Sequence, residues 1–305
     1  MSHKYVVVTQ DFKTIIDFLR FGISQATLAH LYYGHGTDNA ADDIRALILG
    51  SLGLSYDVDP LLLHSRLTEE ERAHLCQQLE KRILGRVPVP YLTKEAYFCD
   101  LPFYVDERVL IPRSPIAELI KQQFSPWIDA DDVVNILDLC TGSGCIAIAC
   151  CYAFPEAHVV GIDISPDALK VAEINRQQHG LEDVLTLIES DCFAKVPKMQ
   201  YDIIVSNPPY VGQGEMETLP NEYQHEPNLA LLASNNGLAI VENILLTAHN
   251  YLSEQGILVV EVGNSEDALV RAYPQLPFTW LDFEHGGQGV FILTAQQLKE
   301  FLDGK

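Results

Sequence analysis

Over the first 86 positions, apolar residues recur at helical spacing. Phe12, Ile15, Ile16 and Leu19 fall at i, i+3, i+4 and i+7, which predicts a helix with one apolar face. A short second helix is expected over residues 24–34, beginning at Ser24, and a third over about 39–49. The clearest pattern is "LTEEERAHLCQQLEKRILG", where Thr68 and Glu71 form a capping box. Leu75, Leu79 and Ile83 line one face of that helix and Gly85 stops it. His30, His35, His64 and His74 are scattered among these segments and read as surface or helix-packing residues, not ligands. Residues 1–86 therefore predict a small helical domain suited to recognising a substrate.

The periodicity then changes. In "RVPVPYLTKEAYFCDLPFYVDERVLIPR", Pro88, Pro90, Pro102 and Pro112 punctuate short aromatic and β-branched runs, so a β-hairpin connector is expected over 87–112. From 113 to 305, apolar runs of strand length alternate with helical stretches: "VVNILDLC", "HVVGIDIS", "DVLTLIESD", "YDIIVSNPPYV" and "GILVVEVGN". Continuous apolar strands separated by helices predict an α/β domain with a mostly parallel sheet covered on both faces. "GVFILTA" adds one more strand near the end.

At 305 residues and 48 % apolar content, the chain can bury a large core plus a smaller one. A formal charge of −22 disfavours a broad nucleic-acid-binding face and would attract a basic partner, although acidity also serves solubility alone. Seven cysteines, an odd number without any CxxC, read as free thiols in a reducing, cytoplasmic compartment. Cys145, Cys150 and Cys151 share a predicted helix, but no two stand three or four apart, so no metal site is expected. The apolar stretch in "MSHKYVVVTQDFK" is too short for a signal peptide, and no run approaches the ~20 residues of a membrane span.

The candidate chemistry sits at strand ends. The first strand of the α/β region runs into "DLCTGSGCIAIA", a glycine-rich strand-to-helix turn that brings backbone N–H groups close to a ligand. A dinucleotide-binding oxidoreductase is the natural rival. Three acids favour another cofactor: Asp138 before the glycines, Asp163 at the end of the second strand, and Asp191 at the end of the third. Asp163 is placed to accept from ribose hydroxyls. Each acid taken singly reads equally well as a helix cap or a solvated loop end. Their order along the chain resembles the class I methyltransferases that bind S-adenosylmethionine. The loop Cys140, Thr141, Gly142, Ser143, Gly144 would then approach the methionine part, and Asp191 with Cys192 would border the adenine. Cys140 stands where many such enzymes have their first glycine, which implies an ordinary negative φ there.

The fourth strand ends in "SNPPYV". The Asn207 side-chain oxygen and the Pro208 carbonyl are two acceptors. Pro208 and Pro209 hold φ near −65° and remove competing donors, and Tyr210 can lie against a planar group. Two fixed acceptors match the two hydrogens of one planar –NH₂. That predicts Asn207, Pro208 and Tyr210 as the catalytic set, with Pro209 completing the substrate site and Asn207 also bordering the cofactor. An amide nitrogen is a poor nucleophile, so such a site would work by positioning. The motif specifies the acceptor group, not the substrate. Methyltransferases of adenine amino groups and of protein glutamines both carry it.

The chain resembles the HemK-like protein-(glutamine-N5) methyltransferases over essentially its whole length. The resemblance rests on "RVPVPYLTKEAYF", "VLIPR", "ILDLCTGSGCIAIA", "GIDISPDALKVAEIN", "SNPPYV", "EPNLALLASNNGL" and "VVEVGN". It implies the class I fold, Rossmann-like with helices on both sheet faces behind a small N-terminal helical domain, and S-adenosylmethionine as cofactor. "RSPIAEL", "EHGGQGVFILT" and "YYGHGTDNAADD" depart from the branch acting on peptide-chain release factors. They resemble the branch acting on large-subunit ribosomal protein L-three, which implies that basic protein as partner and neither a nucleic-acid substrate nor a membrane. The release-factor activity, an adenine amino methyltransferase and a non-catalytic cofactor-binding module of ribosome assembly are the alternatives. Gly286, Gly287 and Gln288 spell the tripeptide that is methylated in release factors, but their place between two apolar segments predicts a hairpin turn.

Overall fold

The computed structural model describes residues 11–235 and 237–304. The apolar stretch weighed against a signal peptide lies within residues 1–10, outside the described residues. The chain forms two compact units. The first runs to Ala96 and takes in Pro220–His225, and the second comprises Tyr97–Leu219 and Glu226–Lys305. The division between residues 96 and 97 falls within the connector expected over 87–112.

In the first unit, α1 (Ile15–Leu28) buries Ile15, Phe18, Leu19, Phe21, Gly22 and Ala26. Ile16, assigned to the buried face by spacing, is exposed. No separate helix forms over residues 24–34, because α1 continues through Ser24. The Ser24 and Thr27 hydroxyls donate to the Arg20 and Ile23 carbonyls one turn back, so Ser24 caps nothing. α2 (Ala40–Ser51) starts at Asn39, whose side-chain oxygen accepts from the Ala41 and Asp42 N–H groups. α3 (Glu69–Ile83) has the expected capping box between Thr68 and Glu71, and Leu75, Leu79 and Ile83 are buried. Arg82 on α3 forms a fork with Asp43 on α2 at 2.8 and 3.1 Å, both residues buried. Pro220–His225 joins this unit through Glu222, a buried carboxylate that accepts from Tyr32 N–H at 3.0 Å and Arg86 at 3.3 Å.

The connector begins as a helical turn, α4 (Val89–Thr93), instead of a strand; Pro88 and Pro90 fit a first helical turn. A hairpin follows, β1 (Glu95–Phe98) and β2 (Leu101–Tyr104), turned by Cys99 and Asp100, both at positive φ.

The second unit is built on a seven-stranded sheet. In chain order its strands and main flanking helices are β3 (Asn135–Leu139), α5 (Cys145–Ala153), β4 (His158–Asp163), α6 (Pro166–Gln178), β5 (Leu185–Glu189), β6 (Tyr201–Ser206), α7 (Ala239–Thr247), β7 (Leu252–Glu261), β8 (Thr279–Trp280), β9 (Val290–Thr294) and α8 (Ala295–Asp303), with shorter helices over Ile116–Lys121 and Glu266–Ala272. The strand order is β5-β4-β3-β6-β7-β9-β8. Five strands are parallel, and β9 runs antiparallel to β7 and β8. The central strands read as unbroken apolar runs because both faces are covered. Val241, Ile244 and Leu245 of α7 and Leu298 and Phe301 of α8 pack in one buried cluster with Ile204, Leu258, Val260 and Phe291 of the sheet. After β3 the chain builds outward to β4 and β5, then returns to place β6 on the other side. The β3/β6 boundary is therefore the switch point at which such sheets bind ligands. Among the described residues no helix is long and apolar enough to cross a membrane.

Candidate active site

Strand register places the candidate residues in a row. Leu139 of β3 lies opposite Ile162 of β4 and Ser206 of β6, and Ser206 lies opposite Val260 of β7. One residue further along each strand come Asp163, Cys140, Asn207 and Glu261, side by side at the carboxyl edge. The Ser206 hydroxyl donates to the Leu139 carbonyl at 2.8 Å, tying the exits of β3 and β6 together. A cleft opens at this edge, lined by Cys140, Thr141, Gly142, Ser143, Asp163, Asn207 and Pro209. Arg108, Arg113 and Ser114 line it from the segment after β2, and Pro227, Leu229 and Ala230 from a later loop. A larger polar cleft is bordered by Asp202 at the start of β6 and by Ser253, Glu254 and Gln255 near the start of β7. It lies at the opposite edge of the sheet and holds none of the motif residues.

The glycine loop is held by backbone and by acid. Thr141 N–H donates to the Ile162 carbonyl at 2.8 Å, which requires the chain to turn at once on leaving β3. Cys140 makes that turn with φ +60°, which overturns the expected negative φ. A side chain in that left-handed region costs on the order of 1–2 kcal/mol, offset by the tie to β4. Gly142 and Gly144 also have positive φ. A Cβ on Gly142 would meet no protein atom closer than 4.0 Å, so its absence leaves the backbone open to a ligand in the cleft. Asp163 accepts from Gly142 N–H at 2.9 Å and from Ser165 N–H at 2.8 Å, one on each oxygen. It thereby braces the loop while keeping lone pairs toward the cleft it lines. Burial raises its pKa, against the two backbone donors. These features fit a cofactor that presents hydroxyls to Asp163 and a polar group to the loop N–H groups.

Other predicted residues lie beside the cleft instead of in it. Asp138 is fully buried beneath the loop, accepting from the Thr141 hydroxyl at 2.5 Å and Ala147 N–H at 3.1 Å. Burial pushes its carboxyl up to about 7. Asp191 is exposed and leads into a short helical turn. Cys192 is buried with φ +42°, and burial pushes its thiol up to about 11. Neither lines the cleft, nor do Gly144, Pro208 and Tyr210. Pro208 is buried, while Asn207, Pro209 and Tyr210 are half-buried. Among the described residues Asn207 has no side-chain hydrogen bond, so its amide is left to the cleft it lines.

Sequence reasoning gave no role to four further residues. Glu261 accepts from the Tyr210 hydroxyl at 2.9 Å. Arg113 forms a fork with buried Glu226 at 2.7 and 2.9 Å, fixing the loop that carries Pro227 and Leu229 to the cleft wall. Asn175, fully buried on α6, donates to the Ser143 carbonyl at 2.8 Å and holds the end of the glycine loop. All four lie in stretches that carry the family resemblance, and Glu261 and Asn175 each also interrupt an apolar face at a buried position. Gly286, Gly287 and Gln288 lie in the connection between antiparallel β8 and β9, and the Gln288 amide donates to Asn264 at 3.0 Å. All seven cysteines are free, and among the described residues no three His, Cys, Asp or Glu side chains could hold a metal ion.

The sheet order and the cleft at its switch point define a class I methyltransferase fold. The family described as "Methyltransferase small domain" matches residues 122–256. The structure of the hMettl16 catalytic domain in complex with an RNA hairpin superposes with TM-score 0.50 over 75 % of this chain and 82 % of that one, at 15 % identity. The chain is 46 % identical over 297 residues to the ribosomal protein uL3 glutamine methyltransferase of Francisella tularensis, covering 97 % of this chain and 95 % of the relative. It is 47 % identical over 290 residues to that of Neisseria meningitidis, covering 95 % of each. The chain belongs to the ribosomal protein uL3 glutamine methyltransferase family, the L-three branch of the HemK-like enzymes that its motifs resemble.

Proposed function

We propose that this chain transfers a methyl group from S-adenosylmethionine to the side-chain amide nitrogen of a glutamine in ribosomal protein uL3. The observation that carries the reading is the row at the carboxyl edge. Register alone brings the cofactor loop, Asp163 and Asn207 together at the sheet's switch point. S-adenosylmethionine supplies an electrophilic sulfonium methyl. Cys140, Thr141, Gly142, Ser143 and Asp163 would hold it. Asn207 and the Pro208 carbonyl then accept the two hydrogens of the glutamine –NH₂ and aim its nitrogen. The two prolines fix these acceptors and add no competing donor. Holding a weak nucleophile in line makes its attack effectively unimolecular, and that supplies most of the rate. As the new N–C bond would form, the S–CH₃ bond would break, the thioether would leave, and the amide would release one proton to solvent water. A basic ribosomal protein suits the charge of −22, and such a substrate places the enzyme in the cytoplasm.

The test is transfer of tritiated methyl from S-adenosylmethionine to purified uL3, a release factor and DNA in parallel. Labelling of uL3 far above the other two is expected. Preferential labelling of either alternative would replace uL3 as the substrate.

A further inference from the structure

We infer that Glu261 is a positioning residue for methyl transfer: it holds the Tyr210 hydroxyl and so fixes the Asn-Pro-Pro-Tyr loop, whose Asn207 and Pro209 line the cleft. The inference rests on the methyl-transfer reading above. Glu261 ends β7 in the same row as Asn207 and is only 5 % exposed. Both its oxygens take hydroxyl donors, Tyr210 at 2.9 Å on Oε1 and Ser114 at 2.5 Å on Oε2. The Ser114 oxygen also accepts from Ile116 N–H at 3.2 Å, which leaves its proton for Glu261. Two donors on one carboxyl are the pattern of an acceptor group, not of an acid waiting to give a proton. Burial raises the Glu261 pKa, while the two hydroxyls and the charge of Arg113 lower it. A carboxyl buried at such a place is costly unless it is hydrogen-bonded, as both oxygens are here.

The partner is gripped on every side. A Cβ on Gly263 would lie 2.5 Å from Cε2 of the Tyr210 ring, so glycine is what allows the ring to lie against the backbone there. The Ser265 hydroxyl donates to the Tyr210 carbonyl at 2.9 Å. A Cβ on Gly237 would fall 2.1 Å from that same carbonyl. An aromatic residue that only filled space would need no buried carboxyl at its hydroxyl. A loop that presents Asn207 to the cleft does need to be held in place. A misplacement of about 1 Å at such a site costs on the order of a hundredfold in rate.

The experiment is a double-mutant cycle on methylation of uL3, with kcat, KM and S-adenosylmethionine affinity measured separately. Glu261→Ala and Tyr210→Phe each lower kcat by about tenfold or more, with cofactor affinity little changed. The double variant is no worse than Glu261→Ala, because both changes break one tie. Glu261→Gln keeps an acceptor for the Tyr210 hydroxyl and recovers most of what Glu261→Ala loses. Additive losses overturn the inference, as does a Glu261→Gln variant as inactive as Glu261→Ala, which would mean that the charge itself is used. Should Glu261→Ala fail to fold, Tyr210→Phe decides: a tenfold loss supports the tie and a wild-type rate sinks it. A wild-type enzyme that leaves uL3 unlabelled sinks the functional reading together with this one, whereas additive losses in an active enzyme sink this one alone.

Discussion

In the proposed site, removing the Asn207 side-chain oxygen would take away one of two acceptors and leave the Pro208 carbonyl to hold the substrate amide alone. Asn207→Ala should lower kcat by roughly a hundredfold or more, the scale seen when one positioning group is lost. Cofactor affinity should stay within a few-fold, which calorimetry can check; a collapse of binding would assign Asn207 to the cofactor instead. Asp138 makes a different prediction, about pH. Its carboxyl titrates near 3.8 in the unfolded chain and at about 7 in the folded one. Between those values the folded state holds a proton that the unfolded state has lost. Stability from this group is therefore full below the lower value, falls as pH rises, and is gone above the higher one. Asn at 138 keeps the acceptor for Thr141 and Ala147 and has no proton to lose. The stability of Asp138→Asn relative to the parent should thus rise by a few kcal/mol across that window, as read from urea denaturation at each end. A difference independent of pH would contradict the buried-acid account.

Two features hold α3 at the scale of elements, and they differ in strength. The capping box at Thr68 satisfies exposed helix-end donors, so Thr68→Ala should cost about 1 kcal/mol. Asp43→Ala strands the Arg82 guanidinium in the interior and should cost about 3 kcal/mol, the low end for a broken buried pair. Glu222, 3.7 Å from Arg82, softens the loss. Denaturation of the two variants that ranked them the other way would contradict this. The capping box was legible in the sequence because its pattern is local. So were β3, β4, β6, β7 and β9, whose burial on both faces leaves continuous apolar runs such as "IIV" in β6, and the edge strand β5, which is mostly half-buried. The two residues of β8 are too few to carry a pattern. α8 carries its own capping box at Thr294 and Gln297, but Thr294 is also the last residue of β9, so no turn marks the change of period. The candidate site divides the same way. Asn207, Asp163 and the glycine loop announce themselves by residue type. The left-handed Cys140 depends on a tie to β4, and Glu261 matters only because β7 lies beside β6; both are non-local pairings.

The whole molecule carries a charge of −22, and a basic substrate would feel it at long range. Raising salt from about 50 to 300 mM shortens the screening length and should lower kcat/KM for uL3 several-fold, mainly through KM, while leaving cofactor affinity nearly unchanged. A flat response would reduce the charge to a solubility feature. In the proposed reaction the row Asp163, Cys140, Asn207 at one sheet edge joins a cofactor to a glutamine amide. Its most direct test is fragmentation mass spectrometry of uL3 after incubation with the enzyme and S-adenosylmethionine. A single methyl on the side-chain nitrogen of one glutamine is expected, formed roughly a hundredfold more slowly when Asn207→Ala replaces the enzyme. A methyl on any other residue type, or the same yield with the variant, would contradict it.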